Sequence, residues 1–372
     1  MIRYAVAVGF AVLFISGDAV AVERRRTTSP KPFPPCTTVT GTAAVTFTRD
    51  GGRTLAPTSE RLEGIGYTYG LAALDKGNGK SFLAWHKTAL LLSEDAGCSW
   101  SEVARFDDLE TFPPQITAAK GGRAYAWSEN GRFLIRYDAR GVVRLKQPVE
   151  FLGVGTDPKD GEHVRAGGND GSIWDSRDGG ETWEYLGSLR GPLSFYRFTF
   201  DREDIDHVVA GTLAGGAFYS FDGGLTWQTS SGFGQGRSGV NVFNLVISPA
   251  NGNVVWAMAI NLDETEQAPS FGRHIYLSTD GGVNYVSVID RDPAVTIING
   301  PVMAADPFNA HVLYFIFGTR TMGYGTDVFR YDASDRSLTI NHNGYDDINS
   351  IAFSPKQPGV VYFGLETEEG IR

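Results

Sequence analysis

The chain has 372 residues, 12% of them aromatic, with 46 glycines and a charged fraction of 20%. That suits a globular protein rich in strands and turns, long enough for a large buried core. A formal net charge of −10 argues against nucleic acid or an anionic membrane as partner.

Met1-Ile2-Arg3 is a short basic start, Tyr4 to Ser16 is an apolar run, and Ala19-Val20-Ala21 offers a small-x-small cleavage site. A secretory signal peptide over residues 1–21, cleaved after Ala21, is the expectation. It predicts a secreted or periplasmic protein. An uncleaved anchor is the other reading, but the run is short for a spanning helix. Residues 22–42 form a Pro/Arg-rich arm (Arg24-Arg25-Arg26, then Pro30, Pro32, Pro34 and Pro35) that cannot bury a core. The arm carries Cys36, and the second cysteine is Cys98. In an oxidising compartment a disulfide would pin the arm to the second repeat; two free thiols are the alternative.

From residue 43 onward a short pattern recurs. Ser220-Phe221-Asp222-Gly223-Gly224-Leu225-Thr226-Trp227 and Ser176-Arg177-Asp178-Gly179-Gly180-Glu181-Thr182-Trp183 are the best copies. Ser278 to Tyr285 is a third, and segments around Asp50 and Asp95 are looser ones. Eroded versions surround Asp138 and Asp332. The marker aspartates Asp50, Asp95, Asp138, Asp178, Asp222, Asp280 and Asp332 give a period in the forties, stretched twice near the end. Each copy reads as strand, tight turn, strand. The carboxylate accepts turn amides, glycine supplies positive φ, the hydroxyls tie the turn down, and Trp anchors the next strand. These aspartates are therefore structural rather than catalytic.

Four short strands per unit predict a β-propeller blade. In the fifth unit they are Tyr196 to Phe200, His207 to Gly211, Ala217 to Phe221, and Thr226 to Thr229. His163, His207 and His311 fall just before second strands, which predicts solvated turn residues rather than metal ligands. The acidic stretch Asp201 to Asp206 reads as a solvated repeat turn rather than a calcium site. The chain opens with the third and fourth strands of a blade, Ala43 to about Pro57. It closes with first and second strands, Ile348 to Phe353 and Val360 to Leu365. The halves complement each other, so residues 43–372 should form one all-β, seven-bladed propeller with no free sheet edge. Six blades would require one eroded box to be spurious.

The recurring pattern resembles the Asp-box, or bacterial neuraminidase repeat, found in sialidases, other glycoside hydrolases, sortilin-type receptors and photosystem assembly propellers. The resemblance implies a fold and says little about activity. No Arg-Ile-Pro segment of the sialidase kind occurs, and no His-Glu-x-x-His, Cys-x-x-Cys, phosphate loop or Gly-x-Ser-x-Gly elbow appears. No pair of carboxylates stands out as acid and base. The segments Gly323-Tyr324-Gly325-Thr326-Asp327 and Phe329-Arg330-Tyr331-Asp332, with the leader and single ring, are also similar to small secreted propellers of the dispase autolysis-inducing kind. That likeness implies a secreted metalloprotease as partner.

Function is expected on the face opposite the boxes, where two connections are long. Asn261 to Arg273 and Gly318 to Thr326 carry Asp263, Glu264, Glu266, Phe271, Arg273, Arg320, Met322 and Tyr324. Neighbouring connections add Phe233, Gln235, Arg237, Tyr345, Asp346 and Asp347, and the first such connection adds Tyr67 and Tyr69. This mixture of aromatics and arginines suits a protein or carbohydrate surface. A non-enzymatic, monomeric, protein-binding propeller without metal or cofactor is the leading expectation. A carbohydrate-active hydrolase using Asp346, Asp347 or Asp263 is the alternative, and an assembly factor resembling those of photosystem II is a third.

Overall fold

In the computed structural model, the described residues are 32–42, 44–56, 66–109, 114–128, 131–191, 193–233, 239–267, 272–290, 302–318, 326–343 and 347–367. The fold described is that of the unit Phe33–Arg372.

Seven antiparallel blades form a ring, numbered here by their boxes. Blades 2 to 7 are consecutive four-stranded meanders at 66–105, 115–145, 151–188, 195–229, 240–290 and 303–343. Blade 1 joins the two ends of the chain. Val45–Thr48 pairs with Val361–Thr367, which pairs in turn with Asp347–Phe353. Beyond its box, the Ala56 amide donates to the Phe47 carbonyl at 2.8 Å; residues 57–65 lie outside the described set. Gly66 and Tyr67 also pair with Thr367 and Glu366, so blade 2 is stitched to the closing strand. Pairing the ends covers edges that would otherwise invite intermolecular pairing.

The core lies between blades. Trp256 and Met258 of blade 6 pack against Leu313, Phe315, Phe329 and Tyr331 of blade 7. Burying each such side chain contributes about 1.5–3 kcal/mol. Between blades 1 and 2, Tyr362 packs on Phe82 with ring centroids 4.3 Å apart and donates to the Ala96 carbonyl at 2.9 Å. A disulfide joins Cys36 to Cys98, with the Cα atoms 5.7 Å apart, and buries Val39 beside blade 2.

The boxes show why the repeat reads so clearly. In blade 5, Ser220 Oγ donates to Asp222 Oδ1 (2.7 Å) and accepts from the Gly224 amide (2.9 Å). The Thr226 amide donates to Asp222 Oδ1 (2.8 Å), and Trp227 Nε1 donates to the Gly224 carbonyl (3.0 Å). In blades 1, 2, 4, 5 and 6 the residue after the box aspartate then ties the turn to the first-to-second strand connection of its own blade. The amides of Gly51, Ala96, Gly179, Gly223 and Gly281 donate to the carbonyls of Gly359, Lys80, Glu162, Asp206 and Asn253. Burial opposes ionisation of Asp50, Asp95, Asp178, Asp222 and Asp280, but the hydroxyl or amide and backbone hydrogen bonds outweigh it. All five carboxyls sit below the usual range.

The histidines correct the sequence reading. His163 and His207 are buried, not solvated. His163 bridges Asp157 and Asp175, both at 2.9 Å, while His207 bridges Asp201 (3.3 Å) and the Gly281 carbonyl of the next blade (2.9 Å). Their position before a second strand points each ring back onto the turn that precedes it, at Asp157 and Asp201 respectively. His311 is half-buried. The acidic turn of blade 5 is likewise occupied by its own contacts, since Asp201 also accepts from the Glu203 amide and Asp206 pairs with Arg165.

Candidate functional site

Opposite the boxes, the blade 6 connection departs from the repeat. The second strand Val255–Asn261 is buried throughout, because it is sandwiched between blades 5 and 7. Where blades 2, 4 and 5 turn within a few residues, this chain continues into the helix Leu262–Gln267 before the third strand Arg273–Ser278. Asn261 organises the departure. Its Oδ1 accepts from the Asp263 amide (3.1 Å), its Nδ2 donates to Glu264 Oε1 (3.0 Å), and its own amide donates to the Gly272 carbonyl (2.7 Å). Thr265 Oγ1 donates to the Leu262 carbonyl at 2.7 Å. An asparagine at a strand end is well suited to this, since its amide can serve as donor and acceptor at once.

Glu264 reaches back over the blade to His274, with Oε2 3.1 Å from Nε2. On the other side of that ring, Asp290 at the end of the outer strand Val286–Asp290 places Oδ1 2.9 Å from Nδ1. The register makes this unavoidable, because His274 and Asp290 face each other across the third and fourth strands. Below them Tyr276 donates to the Phe233 carbonyl (3.2 Å), and burial followed by the charges of Glu264 and Asp290 pushes its phenol upward, keeping it a neutral donor.

A second polar group lies at the closing seam. Glu366, 4% exposed, accepts from Asn349 Nδ2 and from Tyr69 Oη (3.5 Å). Farther along the first strands, Arg197 of blade 5 donates to Asn244 of blade 6 at 3.2 Å.

Asp263, Glu264 and Arg273 thus sit together on the blade 6 insertion, and Tyr69 sits at the seam. Phe233 is in the core instead. It is 5% exposed and lies between Tyr276 and Tyr285, with centroids 4.9 and 4.5 Å away, so its ring offers nothing to a partner. Tyr67 is on the seam strand by its backbone pairing. Phe271, Arg237, Arg320, Met322, Tyr324, Tyr345 and Asp346 lie outside the described residues. Sequence reading missed His274, Asp290 and Glu366. The first two are signalled only by cross-strand register, and the third only by ring closure.

The BNR/Asp-box repeat model matches residues 218–229, the blade 5 box. The dispase autolysis-inducing protein of Streptomyces mobaraensis is 46% identical over 372 residues, spanning 98% of this chain and 97% of that protein. The chain belongs to that family. Among solved structures, YCF48 bound to D1 peptide superposes with a TM-score of 0.55 at 11% identity, covering 88% of this chain and 99% of that one. A streptogramin B lyase gives 0.56 at 11% identity, covering 86% and 95%. At that identity the likeness concerns the propeller fold alone. Among the described residues, no helix is long and apolar enough to cross a membrane.

Proposed function

We propose that this is a secreted, non-enzymatic propeller that binds a secreted metalloprotease through the face opposite the boxes and promotes the protease's self-digestion. The observation that carries the reading is the 46% identity, along nearly the whole of both chains, to a protein named for inducing autolysis of dispase. Residues 1–21 act as a cleaved signal peptide, and residues 22–42 as an arm joined to blade 2 through Cys36. The ring supplies rigidity, and the contact surface is drawn from Asp263, Glu264, Phe271, Arg273, Arg320, Met322, Tyr324, Arg237, Tyr345, Asp346, Tyr67 and Tyr69. A surface of this kind concentrates affinity in a few aromatic and arginine anchors.

The test is to incubate purified mature protein with dispase and follow intact protease by gel. Wild type should accelerate loss of the protease band, and a variant with residues 262–271 replaced by Asn-Gly should not. A rate of loss unchanged by the wild type would sink the protease reading. Equal acceleration by the variant would move the contact away from the blade 6 insertion.

A further inference from the structure

We propose that His274 and Asp290 form a zinc-type divalent cation site on blade 6, with Glu264 holding the histidine ring in the tautomer that binds. The proposal is independent of the protease reading. Glu264 is a carboxylate that can only accept, so the 3.1 Å contact assigns the proton to Nε2 of His274. In that tautomer Nδ1 carries the lone pair. His274 is 3% exposed, and its Nδ1 lies 2.9 Å from Asp290 Oδ1 yet has no aligned hydrogen bond. Close approach without alignment is what a nitrogen and an oxygen show when both face a third centre. Zinc bonds of about 2.0–2.2 Å at tetrahedral angles put neighbouring ligand atoms about 3.3 Å apart. Small adjustments from the present separation would accommodate the ion.

The other buried histidines make the contrast. His163 and His207 have both ring nitrogens in hydrogen bonds, to Asp157 and Asp175 and to Asp201 and Gly281. Only around His274 do a ring nitrogen and two carboxylates from three separate segments converge with ligand atoms within 4.8 Å of one another, among the described residues. Glu264 on Nε2, itself held by Asn261, is the carboxylate–histidine arrangement that fixes a ligand's orientation and raises its basicity. One imidazole nitrogen with carboxylate oxygen favours zinc over calcium, which takes oxygen ligands. Asp290 is the exposed member, with 54% of its side chain accessible.

Zinc chloride titrated calorimetrically into chelator-treated full-length mature protein should bind one ion per chain at this site. Asp290→Ala, at an exposed strand end and therefore expected to fold, should abolish that binding. Glu264→Gln should weaken it about 10- to 100-fold. Calcium chloride at the same concentration should not compete. No uptake by the wild type, or uptake undiminished in Asp290→Ala, would overturn the site. So would nitrogen NMR showing His274 doubly protonated in saturating zinc, which would make the cluster an imidazolium clamped by two carboxylates.

Discussion

The box face and the blade 6 rim are built from similar side chains and do opposite things with them. At a box, one aspartate serves amides and hydroxyls within five residues of itself, as Asp222 does with Ser220 and Thr226. On the blade 6 rim, Glu264 and Asp290 serve a ring that neither neighbours in sequence. Local bonding makes the first arrangement repeat and tolerate change elsewhere. The second exists only once three strands and a helix have docked. A carboxylate near an amide turn is a folding device that its own few residues complete, whereas the carboxylates beside His274 come from separate segments and depend on the docking of each.

Several measurements would break or sharpen that contrast. The largest effect is expected from Cys36→Ser with Cys98→Ser. The bridge closes a separation of 62 residues, and its loss should cost about 4 kcal/mol by chain entropy, read from denaturant unfolding as a fall in the stability extrapolated to water, with m rising as the unfolded chain is freed of its cross-link. Asp222→Ala should cost about 2–3 kcal/mol, since it strands several donors at once. At the eroded box, Asp332→Ala should cost about 1 kcal/mol or less, because Asp332 accepts the Ser334 amide and stands 3.6 Å from Arg330. Equal losses at the two positions would mean that the box network does not stabilise its blade.

Acid should separate the faces as well. The five depressed box carboxyls contribute stability that is fully present above their unfolded value near 3.8 and is lost as pH falls toward their lower folded values. Wild type should therefore lose more melting temperature between pH 5 and pH 3 than Asp222→Asn, measured by scanning calorimetry. Replacing residues 262–271 with Asn-Gly should change stability by only about 1 kcal/mol, since it swaps one connection for another of a type hairpins favour. The smallest effect concerns Ala96, which takes φ +63° where the corresponding box residues are Gly51, Gly179, Gly223 and Gly281. Ala96→Gly should stabilise by about 0.5–1 kcal/mol, relief of left-handed strain exceeding the entropy that glycine adds. A destabilised variant would mean that packing of the buried methyl dominates.

The sequence by itself determined the repeat, the blade count and the closing of the ring by its two ends. Each rests on local chemistry, in which Asp, Gly, Thr and Trp within a few residues demand one turn, and spacing then dictates the number of turns. It also located the blade 6 insertion by its extra length. Tertiary structure decided which side chains meet. Phe233 turned inward because Tyr276 and Tyr285 offered it a cavity between blades, and His163 and His207 were buried because adjacent turns and boxes surround them with acceptors. Glu366 found Tyr69 across 297 residues only through ring closure. His274 met Asp290 through strand register and Glu264 through the fold of a helix. Contacts between distant segments depend on the summed geometry of every blade in between, and no short stretch of sequence contains that sum.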